Sequence, residues 1–300
     1  MADYPHLDEL TRPIMGLSEE ARLAWFQTEF WIKYDRADAI IRALSDLVLK
    51  PRRDRMAGYV VTADTNNGKS RIAKRILDAN PMQVMEGEEA RFRLPVVLHE
   101  MLPGPTESAM LDNILDQLGV PYRSTDPVQE KRRVVILSLQ AAETKLLMID
   151  EIQRMLGARR EARLVLLDAI RYIASQVPLP IAAFSTPRGT AALASSDELI
   201  NRLRALPLPP WPLDKDFQSL LASFELRLPL TKPSKLSAPS FASLIHALTE
   251  GYIGEVYDLL EFALREALVA KLPCLPIEFV RALPWAAPSD RKRAVKSQGE

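Results

Sequence analysis

The stretch Tyr59-Val60-Val61-Thr62-Ala63-Asp64-Thr65-Asn66-Asn67-Gly68-Lys69-Ser70 decides how this chain folds. Tyr59–Ala63 has strand character, a tight polar loop follows, and a helical pattern over Arg71–Ala79 begins at once. A strand, a loop and a helix N-terminus in that order make a phosphate cradle. Successive backbone N–H groups point into the loop, and the helix end adds its partial positive charge. Lys69 is placed to reach the terminal phosphates of a nucleotide, and Ser70 to ligate magnesium. Asp64, Thr65, Asn66, Asn67, Gly68 and Arg71 complete the expected contact set. One position departs from the usual pattern: Ala63 stands where the first glycine is normally found.

A second motif raises the weight of the first. Lys145-Leu146-Leu147-Met148-Ile149 leads straight into Asp150-Glu151, an apolar strand ending in two carboxylates. Asp150 suits the metal, directly or through water. Glu151 suits the general base that polarises the attacking water. On the next strand, Ile181-Ala182-Ala183-Phe184 ends in Ser185-Thr186, which places a hydroxyl either as a γ-phosphate sensor or as the cap of a turn before Pro187. Farther on, Asp197-Glu198-Leu199-Ile200-Asn201-Arg202-Leu203-Arg204 precedes a weaker strand. An arginine there is out of reach of its own phosphates but within reach of a neighbouring subunit's. Such a finger is worth about 10³–10⁵ in rate. Arg202 is the first candidate and Arg204 the second.

Outward from these motifs, the strand-like runs are Tyr59–Ala63, Leu94–Leu98, Leu146–Ile149, Ile181–Phe184 and Ala205–Leu208. Helical patterns at Arg71–Ala79, Glu107–Leu118, Val128–Glu143 and Ala162–Gln176 separate them. Alternation of this kind implies an α/β fold with a five-stranded parallel sheet flanked by helices. Two helices precede the sheet: one begins at Ser18 and carries Leu23, Phe26, Phe30 and Trp31, and the other runs from Asp35 to Leu49. After Trp211-Pro212 the pattern turns all-helical, over Asp216–Leu226, Ser240–Leu248 and Ile253–Val269. The expected organisation is an N-terminal helical segment at 1–34, an ATPase core at 35–212, a small helical lid at 213–285, and a disordered basic tail at 286–300.

Lysine plus arginine and aspartate plus glutamate number 39 each, so nothing global points to nucleic acid, and any DNA contact must come from local patches. Lys131-Arg132-Arg133, Arg159-Arg160 with Arg163, and the loop Pro103–Ser108 are the candidates. A single cysteine, Cys274, excludes an internal disulfide and a zinc cluster and suits the cytoplasm. No apolar run approaches the roughly 20 residues of a membrane helix, so no membrane partner is expected. With His6, His99 and His246 as the only histidines and no three-carboxylate constellation, metal-dependent nuclease chemistry is disfavoured.

The cradle, the Leu147-Met148-Ile149-Asp150-Glu151-Ile152-Gln153 segment and Ser185-Thr186-Pro187-Arg188 together resemble the TniB family, AAA+ ATPase regulators of DNA transposition related to the TnsC proteins. Phe30-Trp31-Ile32-Lys33-Tyr34, Leu199-Ile200-Asn201-Arg202 and Gly251-Tyr252-Ile253-Gly254-Glu255 are similar too, and the resemblance spans roughly residues 18–270. The Asn66-Asn67 pair before Gly68-Lys69 is its most specific element.

The resemblance implies an AAA+ P-loop fold, with ATP and Mg2+ as cofactors and Ile32 and Tyr34 at the entrance to the adenine pocket. It also implies self-association into a ring or helical filament on double-stranded DNA. Such an assembly would recruit a transposase, with a target-selection protein as a further partner, and hydrolysis would reset it. The lid turn Gly251–Glu255 has no arginine where many AAA+ proteins place a second sensor. Two other readings are an assembly scaffold with negligible hydrolysis and a generic AAA+ loader or remodelling ATPase.

Overall fold

In the computed structural model, which describes residues 4–54, 56–85, 91–193 and 202–297, the strands in chain order are β1 (Gly58–Thr62), β2 (Gln83–Met85), β3 (Arg91–Arg93), β4 (Val96–Glu100), β5 (Leu146–Asp150), β6 (Ile181–Ser185) and β7 (Leu203–Pro207). Among the described residues the α-helices before β7 are α1 (Glu19–Gln27), α2 (Asp35–Leu49), α3 (Lys69–Ala79), α4 (Glu107–Gln117), α5 (Val128–Ala141), α6 (Arg160–Gln176) and α7 (Pro187–Leu193). After β7 come α8 (Lys215–Glu225), α9 (Pro239–Thr249), α10 (Ile253–Val269), α11 (Ile277–Ala282) and α12 (Pro288–Ser297). The chain divides into two units, one of residues 35–209 and one of residues 1–34 with 210–300.

The first unit is built on a five-stranded sheet in the order β4-β5-β6-β1-β7, parallel throughout. β5 and β6 are buried along their whole length, which explains why they are apolar up to their last residues, Asp150 and Ser185. β7 lies on the edge with Arg204 and Ala205 exposed, so its apolar signal is weak. β4 starts two residues later than Leu94, because Pro95 cannot donate to a ladder. The Pro95 carbonyl instead accepts the N–H groups of Lys145 and Leu146, at 2.7 and 3.1 Å. The short hairpin of β2 and β3 was not legible in the sequence: its strands have three residues each, with no buried apolar face to set a period.

Register places the functional ends together. Thr62 at the end of β1 pairs with Ser185 at the end of β6, and Ile149 of β5 pairs with Ala183. The carboxyl ends of β1, β5 and β6 therefore lie level, where α/β sheets bind their ligands.

The second unit is helical around Phe26, Trp211, Phe217, Phe224 and Phe241. Phe26 of α1 is fully buried and stacks on Tyr257 of α10 with ring centroids 5.5 Å apart. The apolar stripe of α1 thus packs into this unit, together with the segments after Pro209. The last stretch is a correction to the sequence reading: instead of a disordered tail, Pro288–Ser297 is helical. Glu250 accepts the Ser289 N–H at 2.9 Å, and Arg291 pairs with the buried carboxylate of Glu255 while lying over the Trp285 ring. Anchoring to carboxylates supplies what its composition lacks in apolar surface. Among the described residues no helix is long and apolar enough to cross a membrane.

Candidate active site

Between β1 and α3 the chain turns through two left-handed residues, Asn66 at φ 59° and Gly68 at φ 85°. Asparagine and glycine tolerate that region best, and the turns aim backbone N–H groups inward at the start of α3. Ala63 keeps a negative φ, and its N–H donates to the Ser185 carbonyl at 3.0 Å. Nothing about its conformation demands the glycine usual at that place.

The Asn67 side chain is buried and donates to the Leu208 carbonyl at 2.8 Å, fastening the loop to the end of β7. That amide is spent within the fold. Asp64 is half-buried, while Thr65, Asn66, Ser70 and Arg71 are exposed.

Lys69 is 5% exposed, and its ammonium donates to the Ala63 and Asp64 carbonyls, both at 2.8 Å. Burial lowers its pKa, while the charges of Glu151, Asp150 and Asp64 pull it back up. Ser70 Oγ donates to Asp150 Oδ2 at 2.8 Å across 80 residues of sequence. Asp150 Oδ1 accepts the Glu151 N–H at 2.7 Å, so both oxygens of this buried carboxylate are oriented. Hard oxygens from a hydroxyl and a carboxylate, side by side, suit Mg2+. Glu151 ends the strand in a left-handed conformation, φ 54°, that turns it out of β5. Two residues to which the sequence reading gave no role hold it: Gln153 donates to its Oε2 at 2.8 Å, and Arg154 lies 3.7 Å from the same oxygen. Spacing marks neither of them for this role.

Ser185 is buried and bonds to the Thr186 carbonyl at 3.0 Å. Thr186 Oγ1 accepts the Gly189 N–H at 3.3 Å, capping α7. Of the two readings open for this hydroxyl, the cap is the one the geometry displays.

Arg202 sits at the other end of the sheet. Its carbonyl accepts the Gly58 N–H at 2.8 Å at the amino end of β1, and its guanidinium donates to Ser175 Oγ at 3.3 Å. β1 has five residues, so about 16 Å of strand lie between that end and the cradle. Arg204 is exposed in β7. Residues 197–201 of the same segment lie outside the described residues. Ile32 and Tyr34 belong to the helical unit, where Tyr34 packs on Trp211 at 4.8 Å between ring centroids.

One group of DNA candidates needs correcting. Lys131 is 1% exposed, donates to Ser108 Oγ, Asp112 Oδ2 and Ser124 O, each at 3.0 Å, and pairs with Asp112. It pins α5 to α4 and offers nothing to a phosphate. Arg132 bonds to Glu107 and lies over Tyr172, whereas Arg133 is exposed. Arg159 and Arg160 are exposed at the start of α6, and Arg163 is half-buried. Pro103 and Gly104 are exposed, while Pro105 is buried.

Solved structures share this architecture. The chain is similar to the ORC2 protein of Aeropyrum pernix in its ADPNP–ADP complexes, with a TM-score of 0.59, 17% identity, and 87% of this chain and 70% of that one covered. It is similar to Drosophila ORC bound to DNA, with a TM-score of 0.56, 13% identity and coverage of 94% and 67%. A Walker-type ATPase of Pyrococcus abyssi gives 0.56, 11%, 86% and 74% for the same quantities. At these identities the likeness is one of fold. No curated protein shows a significant match to the chain. The family model described as "Bacterial TniB protein" matches residues 22–213, well over half of the 300, and the chain belongs to the TniB family.

Proposed function

We propose that this chain is an ATP-driven switch in DNA transposition, which assembles on double-stranded DNA with ATP, recruits a transposase and is released by hydrolysis. The observation that carries the nucleotide part is the Ser70–Asp150 hydrogen bond at 2.8 Å beside the buried Lys69 ammonium. Two motifs 80 residues apart close into one polar cluster at the carboxyl ends of the sheet.

On binding, the Lys69 ammonium exchanges its two carbonyl partners for phosphate oxygens, a stronger charge-assisted contact. Ser70 and Asp150 would hold Mg2+, which when bound neutralises charge on the phosphates. Glu151 accepts the proton of the attacking water. Ile32 and Tyr34 are proposed for the base, and Arg202 for the phosphates of a neighbouring subunit.

Membership of the TniB family supports the transposition part of this reading. For DNA, Arg159 and Arg160 are the candidates best placed, at the N-terminus of α6. A cation is disfavoured there by the helix dipole, so a phosphate meeting both arginines and the helix end would relieve that cost. In an assembly each subunit needs only a few such contacts, because the repeat multiplies them.

Electron microscopy of the full chain with duplex DNA, with and without a non-hydrolysable ATP analogue, tests the reading. Rings or filaments that need both nucleotide and DNA support it. Monomers under every condition would overturn it.

A further inference from the structure

Immediately after the two carboxylates the chain turns through Ile152–Gly157, and Gln153 in that turn bridges two parts of the site. One end of its amide donates to Glu151 Oε2 at 2.8 Å, and the other accepts the Thr186 N–H at 3.3 Å. Glu151 needs such a hold, because its left-handed φ of 54° does not let the strand itself set the direction of the carboxylate. Arg154 pulls from another side. It lies 3.7 Å from the same Oε2, and its guanidinium is anchored to Glu100 at 2.9 Å and to the Met101 carbonyl at 2.8 Å. Without the Gln153 amide, that fixed cation is free to draw the carboxylate toward the end of β4.

α7 is seated on this residue. Gly189 approaches so closely that a methyl group there would stand 2.5 Å from Gln153 Cβ, 3.0 Å from Gln153 Cα and 2.3 Å from Ser185 Oγ. Its φ is not left-handed, so glycine is required by space and not by conformation. Thr190 on the same helix bonds to Thr62 at the end of β1, at 2.8 Å.

We propose that Gln153 is the positioning residue that aims Glu151, with α7 holding it in place through the close contact at Gly189. This rests on the reading of Glu151 as general base. The amide N–H occupies Oε2, which leaves Oε1 to take the proton from water. A shift of α7 is then felt directly by the carboxylate through Gln153.

The test uses the full chain with duplex DNA, measuring kcat and KM for ATP together with the Kd of an ATP analogue. Gln153→Ala should lower kcat by roughly tenfold to a hundredfold, the cost of misplacing a reacting group by about an ångström. The analogue's Kd should stay within about threefold of wild type. Gly189→Ala, which keeps every hydrogen-bonding side chain, should reproduce the kcat loss. In a Glu151→Gln background, adding Gln153→Ala should change the residual rate by less than about twofold, because its target is already gone.

Equal further loss in that background, or loss of nucleotide affinity in parallel with turnover, would mean a structural role and overturn the proposal. So would kcat within about twofold of wild type for both Gln153→Ala and Gly189→Ala. If Glu151→Gln itself hydrolyses normally, the general-base reading fails first, and that result is distinct from the others.

Discussion

Lys69 keeps its charge where water hardly reaches, on two backbone carbonyls and near three carboxylates. Its pKa is lowered by burial, and incoming phosphates would raise it again. ATP binding should therefore take up a proton at alkaline pH below the usual 10.5 of a lysine, and affinity should weaken as pH rises through that window. Calorimetry in two buffers of different ionisation enthalpy reads the uptake; none at any alkaline pH would contradict a phosphate contact. Lys69→Ala should abolish binding at micromolar nucleotide, and affinity within about threefold of wild type would remove this loop from the site. Glu151→Gln keeps size and hydrogen bonding but cannot accept a proton, so turnover should fall by about 10² or more while assembly on DNA persists. Phosphate release measured beside DNA co-sedimentation separates the two effects.

At the scale of elements, α4 and α5 are joined by one buried charge. Lys131 sits 2.7 Å from Asp112 and bonds to Ser108 and Ser124 as well. Lys131→Met should cost about 3 kcal/mol, because Asp112 is left with an uncompensated charge. Thermal unfolding measures the loss. DNA binding by the folded fraction at moderate temperature should be unchanged, and a selective loss of DNA affinity with normal stability would restore Lys131 as a phosphate contact. Arg159→Ala with Arg160→Ala should do the reverse, weakening DNA binding and flattening its salt dependence at unaltered stability.

For the whole molecule the question is whether the site is shared between subunits. Arg202 lies at the amino end of the sheet, a strand's length from its own cradle. Arg202→Ala should bind ATP almost normally, since Lys69, Ser70 and Asp150 remain, yet hydrolyse and assemble poorly. Mixing it with Lys69→Ala subunits should recover part of the activity, because each supplies what the other lacks at a mixed interface. Mixed assemblies that form and stay inactive would count against Arg202 and favour Arg204. Full turnover by a monomer, independent of protein concentration, would end the shared-site idea.

The strand, loop and helix around Gly68-Lys69-Ser70 and the carboxylate pair Asp150-Glu151 were legible in the sequence, because their chemistry depends on residues adjacent in the chain. So was the parallel sheet, since burial on both faces forces β5 and β6 to be apolar up to their last residues, Asp150 and Ser185. What depends on contacts between distant segments was not. No local pattern shows that Asn67 is spent on Leu208, that Lys131 is enclosed by Asp112 and Ser124, or that Pro288–Ser297 is helical on anchors at Glu250 and Glu255. Gln153 and Gly189 belong to the same class: an amide and a missing methyl acquire meaning only once α7 is laid against the turn after β5. Sequence determined the elements and the residue types that stand at their ends; tertiary structure decided which of those side chains are taken up by other contacts, because burial and hydrogen-bond partners are set by neighbours in space.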